Sequence, residues 1–303
     1  MSIAVSMVEQ RVVEIACGDG VALRGHIWPH ARGEKTGTVI VNPATGVLAR
    51  YYHRYAAFLA GHGFDVVTYD YRGIGASRPA ELRGCGYRWR DWGERDFEAV
   101  LRVARRLDRG APLMVVGHSI GGFLPGLAES APAIARMLTV GAQYAWWRDY
   151  AADRRARLFL KWHVAMPALT ALCGYFPGRR LGWLEDLPAG VANEWSFRRA
   201  CMELSHPESE RETVLRRLAA VTAPILAVGV SDDDLGTTRA IGRALAYYSG
   251  ANATQVLLSP ADFDRQEVGH FGLFHSRHAT DFWLDTLLWL RDGLNPWPAK
   301  VLA

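Results

Sequence analysis

The chain has 303 residues, 50% of them hydrophobic and 22% charged, with a formal net charge of +4. That balance fills one large α/β domain with an insertion, or two smaller domains, without disulfide or metal staples. Nearly all the positive charge is arginine, the lysines being Lys35, Lys161 and Lys300, and the densest basic run, Arg148 to Arg157, also carries Asp149 and Asp153; it reads as a solvated helix face, and no nucleic-acid partner is expected.

The N-terminal stretch MSIAVSMVEQRVVEIA has no basic region leading into an apolar run, so no secretory signal is expected. The apolar stretches are too short and broken to span a bilayer, and the expected location is the cytoplasm. Two extended pieces, Glu9–Ala16 and Val21–Trp28, flank Cys17-Gly-Asp-Gly20, a hairpin signal. Strands and helices then alternate. Thr38–Val41 is a strand, Tyr51–Gly61 a helix and Phe64–Tyr69 a strand. Asp91–Arg109 is a helix with Phe97, Val100, Leu101, Ala104 and Leu107 on one stripe. Leu113–Val116 is a strand, Ile120–Glu129 a helix and Arg136–Val140 a strand. The alternation stops near Ala142. Residues 143–218 carry Trp146, Trp147, Trp162, Trp183 and Trp195 with Pro167, Pro177 and Pro188 as breakers, and no strand is expected there. It resumes with a strand Ile225–Val230, a helix Thr237–Tyr248, a strand Gln255–Leu258 and a closing helix Ala279–Arg291. The expected fold is α/β, a mostly parallel eight-stranded sheet flanked by helices. Residues 1–142 and 219–303 would form the core, and 143–218 a helical cap.

The strand Leu113–Val116 runs into Gly117-His118-Ser119-Ile120-Gly121-Gly122 and then a helix. This is G-x-S-x-G in the strand, sharp turn, helix context that lifts a serine hydroxyl above a sheet. The amide of Ile120 would face the same space, at a helix N-terminus suited to developing negative charge. His118 would point away and pack. Asp70-x-Arg72-Gly73-x-Gly75-x-Ser77 has the wrong spacing for a phosphate loop and is followed by no lysine, so it reads as structural. The four cysteines (Cys17, Cys85, Cys173, Cys201) lack C-x-x-C spacing. No metal-ligand spacing occurs, and no metal or other cofactor is expected.

Four segments, Asn42-Pro-Ala-Thr-Gly46, Asp70-Tyr-Arg-Gly-Ile-Gly-Ala-Ser77, Gly117-His-Ser-Ile-Gly121 and Gly269-His-Phe271, make the chain resemble the α/β-hydrolase superfamily over nearly its whole length apart from the cap. Within it, Tyr69-Asp-Tyr-Arg-Gly-Ile-Gly-Ala-Ser-Arg-Pro79, Gly174-Tyr-Phe-Pro-Gly-Arg-Arg180 and Gly269-His-Phe-Gly272 are similar to a group of bacterial predicted hydrolases. The resemblance implies Ser119 as nucleophile and His270 as base, with an acid in the loop Ser231-Asp232-Asp233-Asp234. Aligning Val230 with the family's glycine selects Asp233, the assignment favoured here; counting from Gly229 selects Asp232. Asp234 is available to cap the next helix. The second oxyanion donor falls in Asn42-Pro43-Ala44-Thr45. This departs from the family's usual His-Gly, and because Pro43 has no N–H the donor is expected to be Ala44.

Such a constellation implies acyl transfer from a small-molecule acyl substrate: a serine hydrolase acting on an ester or thioester. One alternative is an acyltransferase, since Asn42-x-x-Thr45-Gly46 is faintly like the homoserine acetyltransferase loop. The other is a non-catalytic ligand receptor on the same fold. Thr45, Trp146 and Trp147 are candidate substrate contacts, and the oligomeric state is open.

Overall fold

Strands that read as unbroken apolar runs should lie between two layers of helices. The computed structural model describes residues 10–31, 33–107 and 110–302. In it β1 (Arg11–Ala16) and β2 (Ala22–Trp28) form the antiparallel hairpin, with Ala16 opposite Ala22. Next come β3 (Gly37–Asn42), α1 (His53–Gly61), β4 (Phe64–Tyr69), α2 (Glu98–Leu107), β5 (Leu113–His118), α3 (Ile120–Phe123) and β6 (Arg136–Val140). The segment after β6 holds α4 (Met166–Cys173), β7 (Tyr175–Phe176), β8 (Leu187–Pro188), α5 (Ala189–Ser196) and α6 (Glu208–Ala219). The chain then returns through β9 (Ile225–Val230), α7 (Thr238–Leu245), β10 (Ala253–Leu258) and α8 (Phe282–Leu287).

One eight-stranded sheet results, in the order β1-β2-β4-β3-β5-β6-β9-β10. It is parallel from β4 to β10, with β2 antiparallel to β4. Alternation along each strand feeds two cores. Val39, Val41, Met114 and Val116 join Tyr55 of α1 and Trp283 of α8 on one face. Ile40 and Val115 join Phe97, Trp92 and the apolar side of α2 on the other.

Several elements differ from the sequence expectation. The helix after the elbow is one turn long and gives way to a 3₁₀ turn over Leu124–Leu127, because Pro125 cannot donate to the preceding turn and Gly126 follows it. The helix of Asp91–Arg109 starts at Trp89 and is wound as π-helix over Trp92–Phe97. Glu9, Asp108 and Arg109, which the sequence reading included in its elements, lie outside the described residues. The 143–218 segment is not strandless: β7 and β8 pair antiparallel, Phe176 opposite Leu187. Two-residue strands leave no alternation to read. Three tryptophans of this segment, Trp162, Trp183 and Trp195, cluster. Trp162 and Trp195 are 4.6 Å apart, Trp183 meets Trp162 edge-on at 5.7 Å, and Trp195 stacks on Trp89 of the core at 5.8 Å. Among the described residues no helix is long and apolar enough to cross a membrane.

Candidate active site

Strand order reverses at β3, which lies between β4 and β5, and open α/β sheets bind ligands outside the carboxyl ends at such a point. Asn42 pairs with Gly117, so the 43–46 loop and the elbow at Ser119 emerge side by side. Ser119 has φ 55° and ψ −128°, a conformation that costs a non-glycine residue on the order of 1–3 kcal/mol. Its N–H donates to the Val140 carbonyl at 2.8 Å, and its carbonyl accepts from Gly122 at 3.0 Å. A Cβ on Gly117 would collide with backbone of Gly121 and Gly122, and one on Gly121 with the carbonyls of Asn42 and Pro43. The turn can therefore be this tight only with glycine at both positions.

The loops after β9 and β10 bring Asp233 and His270 together. His270 Nδ1–H donates to Asp233 Oδ2 at 2.7 Å, which leaves Nε2 of the neutral imidazole as the proton acceptor. Asp233 Oδ1 accepts from the amides of Leu235 and Gly236 at 2.8 and 2.7 Å. Burial alone would raise the Asp233 pKa, but the His270 imidazole and these two amides outweigh it and hold the carboxyl below its ordinary value. Gly141, at φ 56°, gives the pair room: a Cβ there would lie 2.9 Å from Asp233 Oδ2 and 3.1 Å from His270 Cε1. Asp232 has another task. Its carboxylate accepts from Val268 and Gly269 at 2.9 and 3.0 Å and braces the loop that carries His270. Asp234 does not cap the following helix; Thr237 does, its hydroxyl accepting from Ala240 at 3.2 Å.

Ser119 and His270 line one cavity of about 270 Å³, together with Ala44, Thr45, Gln143, Lys161, Trp89, Trp162, Trp183 and Trp195. Two expectations need correction here. Trp146 and Trp147 are not in its wall. Trp146 lies against the Arg243 guanidinium at 4.3 Å and Trp147 against Phe159 at 4.8 Å, so α7 and Phe159 supply partners that hold them outside. The Ala44 N–H, expected to face an oxyanion, donates to the Tyr52 hydroxyl at 3.0 Å. Thr45 lines the cavity with its hydroxyl accepting from Trp89 Nε1 at 3.0 Å.

His118 does more than pack. Its Nε2 lies 2.8 Å from the His270 carbonyl, which can only accept, so Nε2 carries the proton and Nδ1 accepts from the Tyr52 hydroxyl at 2.7 Å. A buried chain thus runs from Ala44 N–H through Tyr52 and His118 to the His270 backbone, joining the loop after β3, the elbow and the loop after β10. The Asp70 turn is structural in the same sense. The Asp70 carboxylate accepts from Ala49 and Ala76, while Arg72 is buried between Asp96 and Asp19.

The sequence reading missed Gln143. Its Oε1 accepts from the Ala145 amide, which turns Nε2 toward Ser119 Oγ at 3.5 Å. Its only signal was its position just past the end of β6. Lys161 and Trp89 were likewise not singled out, since nothing in the pattern of the chain tells which aromatic and basic residues face a cavity assembled from segments far apart in it.

Residues 33–189 match the family model described as serine aminopeptidase, S33. No curated protein matches the chain. Solved structures do. An esterase of Pyrococcus furiosus is 16% identical, with 92% of this chain and 91% of that one covered and a TM-score of 0.60. A soluble variant of the monoglyceride lipase of Saccharomyces cerevisiae, solved with a substrate analog, is 14% identical, with 94% and 95% covered and a TM-score of 0.67. The acylaminoacyl peptidase of Pyrococcus horikoshii is 14% identical over 93% of this chain and 41% of that one, with a TM-score of 0.54. At these identities the structural likeness is one of fold, and the family rests on the sequence model, which spans more than half of the chain. The chain belongs to the serine aminopeptidase S33 family, a hydrolase family of the α/β-hydrolase superfamily.

Proposed function

We propose that the chain is a serine hydrolase that cleaves a carboxylic ester or thioester through an acyl-enzyme on Ser119, with His270 as general base and acid and Asp233 as its carboxylate partner. The observation that carries this reading is the 2.7 Å hydrogen bond between buried Asp233 and His270, which lines the same cavity as the strained Ser119. Asp233 keeps the proton on Nδ1, so Nε2 accepts the hydroxyl proton as Ser119 Oγ bonds to the substrate carbonyl carbon. The carbonyl electron pair moves to oxygen. The Ile120 N–H, the first of its helix and so without a partner inside it, faces that charge. With the Ala44 N–H committed to Tyr52, Ile120 is the donor this reading relies on. His270 then returns the proton to the leaving alcohol or thiol, and water repeats the sequence to release the acid. Residues 143–218 act as a cap whose tryptophans keep bulk water from the acyl-enzyme.

The loop feature that suggested transfer to another acceptor is used internally. Asn42 bonds the Gly121 carbonyl and the Tyr69 hydroxyl, and Thr45 bonds Trp89. Hydrolysis is therefore the reading retained. The test is wild type against Ser119→Ala on short-chain p-nitrophenyl esters and aminoacyl p-nitroanilides, with fluorophosphonate labelling. Wild type should turn over esters and take the label, and the variant should do neither. Equal labelling of both would remove Ser119 as nucleophile. Stabilisation by an ester without any turnover would make the chain a receptor.

A further inference from the structure

Lys161 is one of the chain's three lysines, and it stands in the wall of the Ser119 cavity. Its ammonium lies 4.4 Å from the ring centroid of Trp162 and 4.6 Å from that of Trp183. Both contacts fix where the charge sits. Neither neutralises it. Among the described residues Lys161 forms no ion pair, and the charge that bears on it is the like charge of Arg157. The carboxylates of the cavity, Asp232, Asp234 and Glu267, belong to the loops after β9 and β10. Asp232 is held there by two backbone amides. The cavity therefore has a cation on the inserted segment and its anions on the His270 side.

We propose that Lys161 is a specificity residue and that the substrate is an ester or thioester bearing a carboxylate, which the Lys161 ammonium receives between Trp162 and Trp183. An anion entering the cavity is repelled by the Asp232, Asp234 and Glu267 side and drawn to Lys161, the one lysine or arginine among the described residues that line it. The two indole faces pack the methylenes that connect carboxylate to carbonyl. The inference rests on the Ser119 reading above and extends it to a substrate class.

Two substrate pairs test it. In the first, p-nitrophenyl monoesters of succinate, glutarate and adipate are compared with p-nitrophenyl alkanoates of equal chain length, which puts the carboxylate in the acyl part. In the second, carboxyphenyl butyrate is compared with phenyl butyrate, which puts it in the leaving group. Wild type should prefer the carboxylated member of one pair. Lys161→Met should lose that preference through KM, with kcat/KM down about tenfold, a change worth ~1.4 kcal/mol. Neutral esters should lose less than the carboxylated ones, so that the preference and not the basal rate is the readout. Lys161→Arg should keep the preference. Hydrolysis of neutral esters with no carboxylate preference in either pair, or a preference that survives in Lys161→Met, overturns the Lys161 proposal and leaves the Ser119 reading standing. Absence of fluorophosphonate labelling at Ser119 in wild type overturns both.

Discussion

His118 is fully buried, and its pKa is pushed from 6.5 down to about 3, first by burial and then by the neighbouring His270 imidazole. The hydrogen bond to the His270 carbonyl and the Asp233 carboxylate oppose this only in part. The native state thus refuses a proton that the unfolded chain takes up below its ordinary histidine pKa. Since the unfolded state then binds more protons, native stability falls as the pH drops below 6.5, and the loss is complete only near the folded value. Each unit in that window costs about 1.4 kcal/mol, so at pH 4.5 this one residue costs roughly 3 kcal/mol relative to pH 7.5. The perturbation is acidification of wild type alongside His118→Gln. The glutamine can accept from Tyr52 with its oxygen and donate to the His270 carbonyl with its nitrogen, yet it does not titrate. Other histidines pushed down, such as His53 and His206 at about 4, contribute equally to both proteins and cancel in the difference. Urea unfolding at a series of pH values should show the wild type losing about 3 kcal/mol more than the variant between pH 7.5 and 4.5. Parallel stability curves would mean that His118 is not held neutral in the fold, and the buried Ala44–Tyr52–His118–His270 chain would be wrong.

Two further outcomes follow from the site. Asp233→Asn should lower kcat by about four orders of magnitude with KM little changed, because the wrong imidazole tautomer is then favoured. Asp232→Asn, which disturbs only the brace under the His270 loop, should lose far less; equal losses in ester turnover would undo the division of labour between these neighbours. Gly117→Ala puts a methyl group against backbone of Gly121 and Gly122, where no flexible side chain can yield, so a loss of at least ~3 kcal/mol or failure to fold is expected. A melting temperature near that of wild type would show that the elbow is not the tight turn described.

The reach of the sequence is clearest at the elbow. Gly117 and Gly121 around a serine, after a strand and before a helix, could be read because that geometry depends on residues adjacent in the chain. The same holds for the parallel sheet, whose strands are continuous apolar runs, and for its hairpin, marked by Asp19-Gly20. Choosing between Asp232 and Asp233 was another matter. Both are aspartates in one loop, and what separates them is that His270, 37 residues on, meets one while Val268 and Gly269 meet the other. Tryptophans 146 and 147 lie nearest in sequence to the end of β6, but Trp89, Trp162, Trp183 and Trp195 form the cavity wall. The Ala44 amide was open by its place in the loop, yet it is taken by Tyr52, eight residues away. Local pattern determined the strands of the large sheet and the residues at the elbow and hairpin turns, because those depend on period and backbone freedom. Only the tertiary structure decided which side chains share the cavity and which polar groups are already satisfied, because both are set by loops that converge from distant points of the chain.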